Sequence, residues 1–214
     1  MTKLAGIICI LLISVVWAFS ASAHETAWVD GQNTKSPFMR IYGQALPPIG
    51  HVSFCRLNEG ECTGAVEQAE RVALTARRRQ DLRDVNVLVN RMVRPVSDQV
   101  LYGRLEHWTY PSAEGDCEDF VLLKRRMLLE RGWPASALLI TVVRDENGEG
   151  HAILTARTAG GDFILDNRNR EVLIWNRSAY RFVKRQSFHD PQVWVSLTPP
   201  GVEQSPQMSG TRSR

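Results

Sequence analysis

The sequence has little net charge, few cysteines and only one long hydrophobic run. Its 214 residues carry 26 lysines and arginines against 23 acidic residues, which gives a formal charge of +3. So small an excess argues against a nucleic acid or a membrane surface as a partner. Even the local cluster Arg77–Arg79 is followed by Asp81 and Asp84, which predicts a solvated helix face rather than a binding patch.

The single long apolar run lies at the N-terminus, between Leu4 and Ser20. It follows Lys3 and precedes Ala21-Ser22-Ala23, the small-x-small pattern that signal peptidase requires. Residues 1–23 are therefore predicted to be a signal peptide, and a retained membrane anchor is the alternative. After cleavage the protein would be periplasmic or secreted and would not span a membrane.

Cysteine is scarce, and the four present have different expected fates. Cys9 leaves with the signal peptide. Cys55 and Cys62 flank a polar loop that contains a glycine, and in an oxidising compartment they are predicted to form a disulfide. Cys117 is then unpaired, which makes it a candidate reactive thiol. A buried inert cysteine and a disulfide to a second chain are the alternatives.

The rest of the chain changes character along its length. Residues 24–64 show no sustained hydrophobic period and are predicted to be an extended N-terminal region with one short strand around 38–42. Residues 65–198 are predicted to form the main domain. It opens with two helices, or one interrupted helix, over 66–93 and a connecting loop over 96–113. Residues 199–214 have few large apolar side chains and are predicted to be a disordered tail.

A further helix is marked at both ends. Asp116 is a suitable N-cap, Cys117 takes the first helical position and Gly132 follows the C-terminus. A thiol at the positive end of a helix has a lowered pKa. Beyond Ala137 the residues favour strands joined by tight turns. Helices followed by an antiparallel meander predict an α+β fold.

His151 and Asp166 lie on successive predicted strands. His151 opens one strand, Asp166 closes the next, and the turn at Gly160-Gly161 brings these two ends to the same edge of the sheet. With a helix N-terminus packed there, Cys117 is a candidate nucleophile, His151 its base and Asp166 the acid that orients the imidazole. A plain strand residue is the alternative for His151. The competing histidines are His51, His107 and His189.

Several stretches resemble one known family. Trp108-Thr109-Tyr110-Pro111 followed by Gly115-Asp116-Cys117-Glu118-Asp119-Phe120 is similar to the motifs of the bacterial transglutaminase-like cysteine proteinases. His151-Ala152-Ile153-Leu154 and Leu165-Asp166-Asn167 resemble that family's histidine and aspartate motifs, and Lys124 and the segment around Asn86 and Asn90 also fit. The resemblance covers about residues 66–195. It implies a transglutaminase/papain-like fold, with the cysteine at a helix N-terminus packed on an antiparallel sheet that carries the histidine and the aspartate.

The resemblance also implies a function. The expected activity is that of an exported cysteine peptidase that hydrolyses a peptide bond in a protein substrate. Because the family includes periplasmic proteases that release large biofilm adhesins, it implies an exported adhesin as substrate and a regulatory membrane receptor as partner. The alternatives are acyl transfer to an amine and a non-catalytic peptide-binding module. No organic cofactor is expected.

The acids around Cys117 allow two interpretations. Some members of the family depend on calcium, which implies Asp116, Glu118 and Asp119 as candidate calcium ligands. With Glu114, these acids place up to four negative charges near the thiol and disfavour the thiolate, a penalty that a divalent cation would remove. The alternative is that Asp116 and Asp119 cap the helix and Glu118 faces water.

Trp108 is a candidate wall of the substrate cleft. As a tryptophan in a loop, it is equally compatible with a place in the core. The donors of an oxyanion hole have no sequence signature, but the backbone N–H of Cys117 is a candidate because helix N-termini have free donors.

Overall fold

The computed structural model describes residues 36–64 and 71–201. The predicted signal peptide, residues 65–70 of the predicted helical stretch and nearly all of the predicted tail lie outside the described residues. Within the described ranges, no helix is long and apolar enough to cross a membrane.

In the described chain the four α-helices precede the main run of strands, which is typical of an α+β fold. The helices are α1 (Ile49–Leu57), α2 (Ala76–Met92), α3 (Asp98–Tyr102) and α4 (Cys117–Glu130). The strands are β1 (Gly43–Ala45), β2 (Arg94–Pro95), β3 (Glu114–Gly115), β4 (Leu138–Arg144), β5 (Gly150–Thr158), β6 (Gly161–Leu165), β7 (Leu173–Ile174), β8 (Arg181–Gln186) and β9 (Trp194–Ser196). The predicted fold class is confirmed.

Seven of these strands form one antiparallel sheet. Their order is β1-β9-β8-β4-β5-β6-β7, and β2 and β3 pair separately in parallel. In the β5–β6 hairpin, Leu154 is opposite Leu165 and Thr158 is opposite Gly161. Residues before Leu154 on β5 and after Leu165 on β6 therefore extend past the same end of the hairpin, where His151 and Asp166 lie.

Helix α4 is buried against the centre of the sheet because it is apolar on more than one side. It packs on β5 on one side and on α2 on the other. Its buried apolar residues are Phe120, Val121, Leu122 and Leu128. On the opposite face of the sheet, a smaller apolar cluster contains Val143, Ile153 and Ile164. The helix ends at Glu130, just before Gly132, whose φ of 79° lies in the left-handed region, as the sequence predicts.

The N-terminal part of the chain differs from its prediction. Residues 49–57 of the predicted extended region form α1, which buries Phe54 against the core. A helix of nine residues is too short to show a clear hydrophobic period. The short strand lies at Gly43–Ala45 rather than at 38–42, because that is where the chain pairs with β9.

The helical prediction over 66–93 is correct only from Ala76 onwards within the described residues. Thr75 caps α2, since its Oγ1 accepts a hydrogen bond from the Arg78 N–H at 3.2 Å. Before it, Val72 forms a parallel bridge with Thr158 and is not helical. The predicted end of the helix before Arg94-Pro95 is confirmed at Met92. The predicted connecting loop over 96–113 contains α3, a helix of only five residues.

The predicted disulfide between Cys55 and Cys62 is confirmed, with 5.6 Å between the two Cα atoms. It joins the end of α1 to the turn that follows it. In the described part of the chain, Cys117 is then the one free cysteine.

Candidate active site

Cys117 occupies the first position of α4, directly after β3. Gly115 makes this junction possible by its lack of a side chain. A Cβ there would lie 2.6 Å from Asp119 Oδ2, closer than nonbonded atoms approach. Asp119 can therefore fold back beneath the start of the helix, where its carboxylate is fully buried.

The thiol of Cys117 is half-buried and has two polar neighbours. The Ala152 N–H donates to Sγ at 3.4 Å, and Sγ donates to Glu118 Oε2 at 3.3 Å. Burial raises the pKa of Cys117 well above its ordinary value, and the negative charge of Glu118 adds to the increase. The lowering expected from the helix N-terminus is therefore outweighed.

His151 and Asp166 form a buried pair at the end of the β5–β6 hairpin. His151 Nε2 lies 2.9 Å from Asp166 Oδ1, and His151 Nδ1 makes no hydrogen bond. Since a carboxylate only accepts, Nε2 carries the proton and Nδ1 has the free lone pair. The structure thus brings these two residues together, and Cys117 lies next to them through its contact with Ala152 on β5.

Two further groups fix the Asp166 carboxylate. The Tyr180 hydroxyl donates to Oδ2 at 2.7 Å and the Arg168 N–H donates to Oδ1 at 2.9 Å. Burial opposes ionisation, but the hydrogen bonds from His151, Arg168 and Tyr180 outweigh it and hold the pKa of Asp166 below its ordinary value. The sequence shows no signal for a role of Tyr180, which lies just before β8.

The loop after β6 is held from the other side by α2. Asn86 Nδ2 donates to the Asn169 carbonyl at 2.9 Å, and Asn90 Nδ2 donates to the Asp166 carbonyl at 2.9 Å. These two bonds join α2 to the loop that begins at Asp166. Lys124 is also fully buried, and burial lowers its pKa to about 7, opposed by the charge of Asp166.

A cluster of carboxylates lies beneath the N-terminus of α4. Oxygens of Asp98, Asp116 and Asp119 lie within 4.8 Å of one another, and Asp98 was not predicted. Asp98 is 18 residues from Asp116 in sequence and enters the cluster through α3, so no motif links the two. One oxygen of each carboxylate is buried and makes no hydrogen bond. Buried carboxylate oxygens without donors are costly unless a cation balances them, so the residues present fit a divalent cation.

The pKa values of these acids reflect the same crowding. Burial raises the pKa of Asp119 to about 7, although the Thr109 N–H opposes the increase. Burial raises the pKa of Glu118 to about 10, and neighbouring Asp116 adds to it. Glu118 is buried, so it does not face water as the alternative interpretation had it.

The capping interpretation of Asp116 also differs from the structure. Asp116 stands at the N-cap position, but its side chain makes no capping hydrogen bond to α4. Its Oδ2 instead accepts from the Asp98 N–H at 3.3 Å.

Trp108 lies in the core, with 6% of its surface exposed. Its ring meets that of His51 edge-on with 5.6 Å between centroids, and its Nε1 donates to Glu106 Oε2 at 2.9 Å. Gly50 gives it room, since a Cβ there would lie 2.3 Å from the indole. These contacts agree with the alternative that Trp108 belongs to the core. A role for Trp108 in binding substrate stays a prediction.

The three competing histidines contact residues other than Cys117, His151 and Asp166. His51 lies against Gln186 and Trp194, with nitrogen–nitrogen distances of 3.1 and 3.4 Å. The His107 N–H donates to Asp98, and the His189 ring lies 4.4 Å from that of Phe188.

Acid sensitivity of stability is expected from His51. Burial lowers its pKa from 6.5 to about 4, and the charge of Arg125 adds to the shift. The unfolded chain takes up this proton near pH 6.5, whereas the folded protein resists it until about pH 4. The free energy of unfolding should therefore decrease as the pH falls through this window, with a contribution from His51 on the order of 3 kcal/mol.

Urea denaturation of the protein and of a His51→Gln variant across this window measures that contribution. The difference in unfolding free energy between the two proteins should change with pH. A constant difference would show that His51 is not the responsible group.

A helix-borne thiol next to a histidine–aspartate pair on an antiparallel sheet defines a class of protein, the transglutaminase/papain-like thiol enzymes. Within that class, the sequence model of the bacterial transglutaminase-like cysteine proteinases matches residues 41–201. The chain belongs to this family. It is therefore a transglutaminase-like member of a family of cysteine peptidases.

Solved structures that are similar over part of the chain include two forms of one protein. The calcium-bound form of Legionella pneumophila LapG has 23% identity and a TM-score of 0.48, and the match covers 61% of this chain and 74% of LapG. The EGTA-treated form has 25% identity and a TM-score of 0.44, covering 50% and 61%. No curated protein matches the sequence. Family membership rests on the sequence match.

Proposed function

We propose that the protein is an exported cysteine peptidase that hydrolyses a peptide bond in a protein substrate. Cys117 is the nucleophile, His151 its base and Asp166 the acid that orients the imidazole. The observation that carries this assignment is the buried His151–Asp166 pair, 2.9 Å apart, in which Nδ1 is unbonded and His151 directly precedes Ala152, the strand residue that contacts the thiol.

The geometry supports a two-stage reaction. The Cys117 thiol gives its proton to His151 Nδ1 as the sulfur attacks the carbonyl carbon of the substrate. The imidazolium then gives this proton to the leaving amine, and the acyl group stays on the sulfur as a thioester. Water, deprotonated by Nδ1, attacks the thioester and releases the acid and the thiol. Asp166 holds Nε2–H throughout and is itself fixed by Tyr180.

Two backbone N–H groups are placed to stabilise charge in this reaction. The Ala152 N–H donates to Sγ at 3.4 Å and lowers the free energy of the thiolate. The N–H of Cys117 at the start of α4 is a candidate donor to the oxyanion, since the first amides of a helix have no partner within it.

The acids beneath α4 are proposed to hold calcium. Asp98, Asp116 and Asp119 supply clustered carboxylate oxygens, the ligand type that calcium prefers. Glu118 contacts the thiol directly, and its carboxylate is a further candidate ligand. A bound calcium ion supplies positive charge that offsets the negative charge around Cys117. With calcium bound, these acids would be ionised, and they would raise the pKa of the Cys117 thiol less than they do without the ion.

The resemblance at the sequence level supports the finer assignments. On that basis we propose a periplasmic location, an exported adhesin as substrate and a regulatory membrane receptor as partner. The small net charge of +3 agrees with a protein partner rather than a nucleic acid.

The test compares the protein with its Cys117→Ala variant on the exported proteome of its own cell. Fragments should appear with the unaltered enzyme and be absent with the variant. If no fragment depends on Cys117, the peptidase assignment fails. If mass spectrometry instead finds cross-linked products that depend on Cys117, the enzyme is an acyl transferase.

A further inference from the structure

Besides the groove at Asp166, a second groove, of about 440 Å³, lies beside α2 at the edge of the sheet that β6 and β7 form. Its floor is apolar, and apart from the fully buried Leu82 its residues are partly exposed. The floor residues are Leu74, Leu82, Val87, Phe163 and Val172. An apolar floor that stays open to solvent, at the edge of an otherwise charged helix, is typical of a binding surface.

Three arginines border this floor: Arg79, Arg83 and Arg170. All three are exposed, and none forms an ion pair with any residue in 36–64 or 71–201. Arg83 donates only to the neutral amide of Gln80, at 2.6 Å. Glu171 is the single acid among the residues that line the groove.

The two acids expected to balance the charge of the α2 arginines do not line the groove. Asp81 lies 3.8 Å from Arg131, and it also accepts from the Trp133 indole at 3.3 Å. Asp84 accepts from Gln80 at 2.6 Å. The α2 arginines at the groove are exposed, as the predicted solvated face requires, and among the residues that line the groove three arginines outnumber one acid.

The groove lies next to a groove that contains Asp166. Glu171 lines it and also lines a groove of about 380 Å³ that contains Asp166 and Tyr180. Between the two lies β7, which pairs only with β6 in the described sheet and so has an open outer edge. An extended chain that reaches Asp166 can continue past β7 into the second groove.

We propose that this arginine-bordered groove is an exosite for an acidic, apolar segment of the protein substrate, distant from the scissile bond. The proposal rests on the peptidase function proposed above. Large apolar side chains of the segment contact the floor, and its carboxylates pair with the guanidinium groups, which bind carboxylates in a two-pronged geometry. The groove thereby selects a protein that carries such a segment over one with the same cleavage site alone.

Binding is tested directly with a labelled peptide of alternating glutamate and phenylalanine, measured by fluorescence anisotropy. The variant is Arg79→Glu with Arg83→Glu, and its matched control is Arg77→Glu with Arg91→Glu, the same charge change on the same helix. Reversal at the groove should weaken binding about tenfold or more, whereas the control should stay within about twofold. A lysine–phenylalanine peptide should not bind.

Turnover separates this proposal from the peptidase assignment. For a whole protein substrate found in the proteome experiment, the groove variant should raise KM about tenfold and leave kcat unchanged. A short peptide spanning the same cleavage site should be hydrolysed equally well by all variants. Equal losses on both substrates, or no loss on either, would overturn the exosite while the peptidase stands. Binding of anionic lipid vesicles in place of the acidic peptide would also overturn it.

Discussion

Replacement of His151 by glutamine is expected to lower kcat/KM for peptide-bond hydrolysis by about a thousandfold or more. The thiol of Cys117 has a raised pKa because it is buried beside Glu118, so at neutral pH it needs a base to lose its proton. His151 Nδ1 makes no hydrogen bond, and the residue that follows His151 on β5, Ala152, contacts the thiol through its N–H. A glutamine side chain can still donate a hydrogen bond to Asp166, but it cannot accept the proton of the thiol.

The matched controls are His107→Gln and His189→Gln, which alter the competing histidines. Both should keep activity within about twofold, because His189 is exposed and His107 contacts Asp98 through its backbone N–H, which glutamine also has. Alkylation of Cys117 by iodoacetamide, followed by mass spectrometry, should slow only in the His151 variant. If His151→Gln keeps its activity while either control loses it, the base is misassigned and the strand-order argument fails with it.

Calcium is expected to stabilise the folded protein strongly. At about a hundred times its dissociation constant, a ligand specific to the folded state adds about 2.7 kcal/mol, which for a chain of this size corresponds to an increase in Tm of about 5–10 °C. Differential scanning fluorimetry with added calcium, and then with EGTA, measures this shift. It reports on binding without any need for a substrate.

Substitution within the carboxylate cluster should make the protein less stable than the original when calcium is present, but not when calcium is removed. Asp98→Asn with Asp116→Asn removes two ligands and should abolish the response to calcium. In EGTA the same variant should be at least as stable as the original protein, because it relieves repulsion in a cluster where burial raises the pKa of Asp98 and brings that of Asp119 to about 7. Asp84→Asn, on the exposed side of α2, is the control and should leave the calcium shift unchanged. A calcium response that survives in the double variant would place the ion elsewhere.

Sequence patterns were sufficient to predict the part of the site that lies on the sheet. A glycine-rich turn between two strands determines which ends meet, so the meeting of His151 and Asp166 follows from local residues. The start of α4 at Cys117 also agrees with the preference of aspartate for the N-cap position, although the Asp116 side chain makes no capping hydrogen bond. Each of these features depends on residues close together in the chain.

Features that depend on distant contacts were missed. Asp98 and Tyr180 reach the site from α3 and from the turn before β8, and no local pattern relates them to Cys117. Helix α1 forms because it packs on Trp108 rather than through its own periodicity. The thiol pKa was misjudged for the same reason. A helix N-terminus is visible in sequence, whereas the burial that outweighs it depends on the whole fold.

Gly115 changes how the motif around the cysteine is understood. Its φ is not in the left-handed region, so backbone freedom does not explain the glycine. What excludes other residues is the carboxylate of Asp119, four positions later, which occupies the space of a Cβ. The five residues from Gly115 to Asp119 are thus one interlocked steric unit, in which the first and last positions can change only together. A homologue with alanine at the first position should therefore also have a smaller residue at the fifth, and with it a different set of acids beneath its thiol.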